Sequence, residues 1–171
     1  MKPGAAFFYD YPAADGDVYG KGRRERVAAL TELYPHVVHA GNFDRHAAGL
    51  AGVEVVFATW GMIRFEERHF HAMPKLKAVF YAAGNVKAFA EPLVRHGVIL
   101  VSAWEANAIP VAEMCLSQIL LSLRGYFRSV RHYRELKTHE SKKFPRTGVN
   151  GETVGMIGMG KIGTRLARLL R

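Results

Sequence analysis

Three glycines near the end of the chain have a spacing that can bind a phosphate group. The segment GMGKIG carries Gly158, Gly160 and Gly163 in the order G-x-G-x-x-G. It follows an apolar run that predicts a strand over residues 153–157, and it precedes residues that predict a helix. In that context Gly158 can make the tight turn, Gly160 lets the backbone approach a pyrophosphate, and Gly163 lets the helix pack against the strand. The segment therefore predicts a dinucleotide-binding loop.

The residues that open the predicted helix supply donors for the anion. Backbone N–H groups around Lys161 and Ile162 would point at the pyrophosphate with the helix dipole behind them, and Lys161 adds a positive charge. The alternative is a glycine-rich turn that binds no ligand. A Walker-type loop is excluded, because G-x-x-x-x-G-K-[ST] does not occur. An acidic residue about 20 positions further along would select NAD over NADP. The given sequence ends before that position, so it does not decide between the two cofactors. NAD is the predicted cofactor, and NADP stays open.

The elements before the loop alternate between apolar strands and helices. The predicted strands are residues 5–9, 36–40, 53–58, 76–82 and 98–102. The predicted helices are residues 23–34, 65–72 and 86–96. Strands rich in Val, Ile and Phe without polar alternation are typical of a parallel sheet covered on both faces. With right-handed crossovers, this order predicts a doubly wound α/β layer.

The pattern changes after residue 102. Residues 106–123 predict a helix with Pro110 in its first turn and apolar residues on nearly every face, as in a helix buried on several sides. A loop with Pro145, Gly148 and Gly151 then leads to the strand before the glycine loop. We therefore predict a domain over residues 1–104 and the start of a second over residues 105–171.

Composition excludes several classes of protein. The 171 residues are 49% hydrophobic and 23% charged, which is typical of globular proteins and not of disordered or fibrous ones. No continuous apolar run approaches the ~18 to 20 residues of a membrane span, and the apolar run in the opening MKPGAAFFYD is too short for a signal peptide. A cytoplasmic protein is predicted. Cys115 lies among apolar residues and is expected to be buried.

The net charge of +9 is concentrated over residues 124–146. Arg124, Arg128 and Arg131 recur at helical spacing with apolar and aromatic residues between them. The favoured interpretation is an amphipathic helix with a solvated basic face. The alternative is a nucleic-acid surface.

Residues 53–171 resemble the D-isomer-specific 2-hydroxyacid dehydrogenase family. Three segments carry the resemblance: LKAVFYAAGNVKAF, NAIPVAEMCLSQILLSLR and TGVNGETVGMIGMGKIG. They are similar to the family's strand with a glycine-containing loop, its N-x-x-x-V-A-E helix start, and its entry into the nucleotide domain. The resemblance implies a flavodoxin-like substrate domain followed by the first βα unit of a Rossmann NAD(P)-binding domain. Residues 1–52 match only in their general β/α layout.

The resemblance also implies a substrate site. Backbone N–H groups of Gly84 and Asn85 would face the carboxylate of a small 2-hydroxy or 2-keto acid, and Asn107 would orient it. The alternatives are a simple turn for Gly84 and Asn85 and a helix cap for Asn107. Trp60 and Gly61 either border the substrate mouth or belong to the core at a strand end.

In the family an Arg, a His and a Glu assist hydride transfer from the nicotinamide, and all three lie beyond residue 171. No catalytic residue is therefore expected within this chain, and none of its eight histidines occupies the matching place. No metal site is predicted, because His69 and His71 would point to different faces of a helix. We expect the N-terminal portion of an NAD(P)-dependent oxidoreductase, inactive alone and homodimeric when full length. The alternative is a non-enzymatic basic α/β module that binds nucleic acid or a partner protein.

Overall fold

Five parallel strands form one sheet in the first part of the chain. They are β1 (Gly4–Phe8), β2 (Glu32–Val38), β3 (Val53–Ala58), β4 (Ala78–Tyr81) and β5 (Ile99–Ser102). Their order across the sheet is β2-β1-β3-β4-β5, and every neighbouring pair is parallel. This is the flavodoxin-like order of a doubly wound α/β sheet, so the predicted fold class is confirmed.

The computed structural model describes residues 1–137 and 148–171. It divides into two compact units, Met1–Ala106 and Asn107–Arg171. Pro145 and residues 138–146 of the basic segment lie outside the described residues.

Short helices follow the strands of the first unit. They are α1 (Ala14–Asp17), α2 (Arg23–Leu30), α3 (Phe43–His46), a 3-10 helix (Ala47–Leu50), α4 (Glu67–Ala72) and α5 (Ala90–Arg95). Successive side chains of a strand point to opposite faces, so Phe7 and Phe8 of β1 enter two different cores. Phe8 packs in the larger one with Leu50 and Val56, and Phe7 packs in the smaller one with Tyr19.

The smaller core covers only part of its face of the sheet. Phe80, Ile99 and Val101 of β4 and β5 are 41%, 64% and 43% exposed. The expectation that all strands are covered on both faces is therefore wrong for β4 and β5 within the described residues.

The predicted helix over residues 23–34 is too long. Helix α2 ends at Leu30, and Thr31 is extended with φ −133° and ψ 162°. The next residues belong to β2, which contains Pro35. Because the residue before a proline is disfavoured in helical conformation, the chain leaves the helix before Tyr34.

A long helix, α6 (Trp104–Leu123), runs across the boundary between the units, and α7 (Tyr126–Leu136) and α8 (Lys161–Leu169) follow. Helix α6 begins six residues before Pro110, so the prediction that Pro110 lies in the first turn is wrong. Only Ala108 and Ala112 of this helix are buried, which contradicts the expectation of a helix buried on several sides. Cys115 is half-buried.

By length and composition alone, α6 is long and apolar enough to cross a membrane, among the residues searched. The same test is passed by helices of other kinds, and α6 is interrupted by Glu105, Asn107 and Glu113.

The predicted strand over residues 153–157 is not formed. A strand needs a hydrogen-bonded neighbour, and in the described parts of the chain no segment pairs with these residues. They form a connection without regular secondary structure, and Ile157 is fully exposed.

Candidate functional site

The loop after β4 lies at the carboxyl edge of the sheet, where ligands of α/β folds bind. Gly84 and Asn85 follow β4 by three and four residues. The hydroxyl of Ser102, the last residue of β5, lies 2.9 Å from the Ala83 carbonyl oxygen and 2.5 Å from that of Gly84. The loop is thus attached to the neighbouring strand through a side chain.

The Asn85 side chain and the backbone N–H groups of this loop differ in their hydrogen bonding. The Oδ1 atom of Asn85 accepts a hydrogen bond of 2.9 Å from the Lys87 N–H, so the side chain closes an Asx turn. The backbone N–H groups of Gly84 and Asn85 have no acceptor among the residues that the structure describes. Two adjacent free donors at a strand end can bind an anion such as a carboxylate.

Trp60 and Gly61 follow β3 at the same edge. Trp60 is 44% exposed and packs edge-on against Tyr11, with ring centroids 5.2 Å apart. Gly61 has φ +78°, and a Cβ there would lie 2.5 Å from the Asp10 carbonyl oxygen. Trp60 is therefore a surface aromatic at the strand end and not part of the core.

Asn107 belongs to the second unit, whereas Gly84 and Asn85 belong to the first. Asn107 is the fourth residue of α6 and is half-buried. A residue inside a helix is not its N-terminal cap, so the alternative role as a cap is wrong.

The glycine loop makes a tight turn into helix α8. Gly158 has φ +92°, a left-handed conformation that glycine adopts without steric cost. A Cβ on Gly163 would lie 2.2 Å from the Gly158 carbonyl oxygen, so helix α8 approaches the loop backbone closely. A Cβ on Gly160 would meet nothing within 4 Å. Gly160 is extended and precedes Lys161 and Ile162, the first residues of α8.

These features fit an anion at the N-terminus of α8. The space beside Gly160 is open to a phosphate, and the positive end of the helix dipole favours an anion there. Ile162 is 40% exposed, so the opening turn is accessible. Binding of a dinucleotide by this loop remains a prediction.

Three of the described histidines have contacts of a structural kind. His69 is buried, and its Nδ1 atom accepts a 2.8 Å hydrogen bond from the Glu66 N–H in a capping box at the start of α4. Burial lowers the pKa of His69 below its ordinary value. The rings of His36 and His46 are stacked, with their centroids 4.9 Å apart. Among the described residues there is no group of three His, Cys, Asp or Glu side chains that could hold a metal ion.

Sequence reasoning did not identify Ser102. A serine at the end of a strand is an ordinary residue, and nothing in its spacing distinguishes it. Its importance depends on the register of β4 and β5, which places Ser102 opposite Tyr81 and therefore beside the loop.

The chain is similar to known dehydrogenases in sequence and in fold. The family model described as "D-isomer specific 2-hydroxyacid dehydrogenase, NAD binding domain" matches residues 116–171. D-3-phosphoglycerate dehydrogenase of Homo sapiens is 30% identical over 98 residues, which cover 57% of this chain and 18% of the relative. The enzyme of the same name from Synechocystis sp. is 31% identical over 102 residues, which cover 59% of this chain and 18% of that enzyme.

Two solved structures share the fold. D-lactate dehydrogenase from Aquifex aeolicus, complexed with NAD and lactic acid, gives a TM-score of 0.67 at 20% identity. The match covers 97% of this chain and 47% of the D-lactate dehydrogenase chain. The second is an NADPH-dependent glyoxylate/hydroxypyruvate reductase from Sinorhizobium meliloti, complexed with NADP and malonate. Its TM-score is 0.66 at 18% identity, and the match covers 99% of this chain and 50% of the reductase chain. The chain thus spans about half the length of these structures, and the match covers about a fifth of the curated relatives.

Proposed function

We propose that the chain forms part of an NAD(P)-dependent oxidoreductase of the D-isomer-specific 2-hydroxyacid dehydrogenase family. The support is the match of residues 116–171 to the family's NAD-binding domain and the similarity to D-3-phosphoglycerate dehydrogenases. The proposed substrate is a small 2-hydroxy acid, which the enzyme interconverts with its 2-keto acid. The chain would supply the carboxylate-binding loop and the start of the cofactor site.

The observation that carries this proposal is the pair of N–H groups on Gly84 and Asn85, for which residues 1–137 and 148–171 offer no acceptor. A 2-keto acid presents a carboxylate next to the carbon that is reduced. Two adjacent donors can bind both oxygens of that carboxylate and so fix the orientation of the neighbouring carbonyl. The substrate role predicted for Asn107 rests on the family resemblance alone, because Asn107 belongs to the other unit.

The glycine loop would hold the cofactor pyrophosphate. Gly160 leaves space for the phosphate, the N–H groups of Lys161 and Ile162 would donate to it, and the Lys161 side chain adds positive charge. A bound nicotinamide cofactor would supply the hydride that is added to C2 of the keto acid. The keto oxygen would take up a proton, and we propose that the group that donates it lies outside residues 1–171. Both NAD and NADP stay open.

The test of this proposal is oxidation of NADH and NADPH in the presence of a panel of small 2-keto acids. It uses the longest gene product that contains residues 1–171. We expect turnover with at least one acid, and no turnover by residues 1–171 alone. Oxidation of neither cofactor with any acid would contradict the proposed function. Turnover by residues 1–171 alone would contradict the assignment of the proton donor.

A pair of glycine variants tests the cofactor site in the same assay. Gly160→Ala places a methyl group where the pyrophosphate would approach, so KM for the cofactor should rise about tenfold or more. Gly155→Ala is the matched control, because a Cβ at either position meets nothing within 4 Å of the chain itself. Equal effects of the two variants would show that Gly160 has no special relation to the cofactor.

One observation favours the alternative of a non-enzymatic binding module. Helix α7 exposes Tyr126, Phe127 and Tyr133, 45% to 51% each, among arginines such as Arg131. Aromatic and basic side chains on one surface are typical of single-stranded nucleic-acid binding. Affinity for single-stranded nucleic acid that falls steeply with salt, without keto-acid turnover by the longer product, would favour this alternative.

We further propose that the whole protein is a homodimer. The support is helix α6, which exposes large apolar side chains such as Met114 (58%) and Leu121 (37%). Exposed apolar surface of this kind marks a site of association.

A further inference from the structure

Ser102 holds two successive carbonyl groups of the substrate loop. Its Oγ atom lies 2.9 Å from the Ala83 oxygen and 2.5 Å from the Gly84 oxygen. A serine hydroxyl has one proton, so the two carbonyls share it. Both carbonyls must therefore face β5, and residues 82–84 form a bend and do not continue the strand.

The direction of the carbonyls fixes the direction of the N–H groups. In a trans peptide unit the C=O of one residue and the N–H of the next point in opposite directions, and the described residues contain no cis peptide bond. The Ala83 carbonyl shares its plane with the Gly84 N–H, and the Gly84 carbonyl shares its plane with the Asn85 N–H. When Ser102 holds both carbonyls, both N–H groups point away from β5 on the same side of the loop.

Ser102 itself is held by the sheet. It pairs with Tyr81 in the parallel register of β4 and β5, and the following Ala103 N–H donates to the Tyr81 carbonyl at 2.9 Å. The hydroxyl is therefore presented from a rigid element to a loop without regular structure. This arrangement pre-orients the loop before any ligand arrives.

We infer that Ser102 is a positioning residue that aims the Gly84 and Asn85 N–H groups at the substrate carboxylate. It does not touch the substrate and acts through the two peptide planes. This inference rests on the proposed function, in which these N–H groups bind the carboxylate.

Three substitutions at Ser102 separate the effect of the hydroxyl group from the effect of side-chain volume. Ser102→Ala removes the hydroxyl, Ser102→Thr keeps it, and Ser102→Val has nearly the shape of threonine without it. Ser117→Ala is the control for loss of a serine hydroxyl elsewhere, because Ser117 is exposed on α6 and bonds the Met114 carbonyl.

The first measurement needs no ligand. In labelled chain 1–171, the ¹⁵N order parameters of Gly84 and Asn85 should fall from about 0.85 towards 0.6 in the Ala and Val variants and be retained in the Thr variant. The carbonyl ¹³C resonances of Ala83 and Gly84 should move with the loss of the hydrogen bond. Unchanged order parameters and carbonyl shifts in the Ala variant would overturn the inference.

The second measurement is titration with sodium glyoxylate, followed by the amide resonances of Gly84 and Asn85. The Ala and Val variants should bind about threefold to tenfold more weakly, while the Thr and Ser117→Ala variants match the original chain. Equal weakening in the Thr and Val variants would overturn the role of the hydroxyl. If the unsubstituted chain shows no response to glyoxylate, the carboxylate site of the proposed function is contradicted. The inference that Ser102 positions the loop for a carboxylate is then contradicted as well, whatever the order parameters show.

Discussion

At the scale of single residues, His69 links the stability of the first unit to pH. Its ring is buried between Phe43 and Phe65, and its Nδ1 atom caps α4 by accepting the Glu66 N–H. Burial lowers the pKa of His69, so the folded chain favours the neutral ring. The unfolded chain binds the proton first as the pH falls through the ordinary range of histidine.

The free energy of unfolding should therefore decrease as the pH falls from about 7.5 to about 5.5. The His69→Gln variant should show a smaller decrease, because glutamine can accept the same hydrogen bond in a capping box but does not titrate. The measurement is urea denaturation of both proteins at the two pH values. A variant with the same pH dependence as the original chain would show that His69 does not contribute to it.

The residues of the two candidate sites differ in how far the sequence predicts them. Gly158 and Gly163 follow from spacing alone, because a left-handed turn and a close backbone approach both require glycine. Ser102 does not follow from spacing, because its partners are carbonyl groups that any residue carries. Only the register of two strands brings the hydroxyl to them.

At the scale of elements, the packing of α8 against the glycine loop depends on Gly163. A Cβ there would lie 2.2 Å from the Gly158 carbonyl oxygen, which belongs to the backbone and cannot move as a side chain would. The helix or the loop must shift to accept any larger residue.

The Gly163→Ala variant should therefore destabilise α8 by about 1 to 3 kcal/mol, the usual cost of overpacking. Amide hydrogen exchange across Lys161–Leu169 measures the effect directly. Gly155→Ala should leave the exchange almost unchanged, because a Cβ there meets nothing within 4 Å. Similar protection of α8 in both variants would contradict the close approach.

The strand predictions differ in accuracy. The strand predicted over residues 36–40 is displaced from β2 (Glu32–Val38), and the strand predicted over residues 153–157 is not formed. The bounds of β3 agree with the prediction, because Val53–Ala58 is an uninterrupted run of mostly β-branched and aromatic residues. The helices of the first unit begin later or end earlier than the apolar pattern indicates, as in α2 and α5. Helical periodicity continues into turns, and the actual end depends on local features such as extended Thr31.

At the scale of the whole molecule, the two units differ in how well they bury apolar residues. The first contains both hydrophobic cores, whereas α6 and α7 of the second leave most of their side chains exposed. The sequence predicted α6 as a buried helix because it is apolar on several faces. Sequence alone does not specify what covers such a helix.

The homodimer proposed for the whole protein would cover α6. Val111, Met114 and Leu121 lie on one stripe of this helix, and they are 37%, 58% and 37% exposed. A charge placed in that stripe would have to be buried on association, at a cost of several kcal/mol.

The Met114→Glu variant should therefore shift the protein from dimer to monomer and raise the dissociation constant at least about tenfold. Sedimentation equilibrium of the longest gene product that carries residues 1–171 measures the constant. Leu30→Glu is the matched control, because Leu30 is 73% exposed but lies in the first unit, away from α6 in the sequence. The control should sediment like the original protein. A monomeric original protein would contradict the proposed dimer, and a dimer that tolerates Met114→Glu would place its interface on another surface.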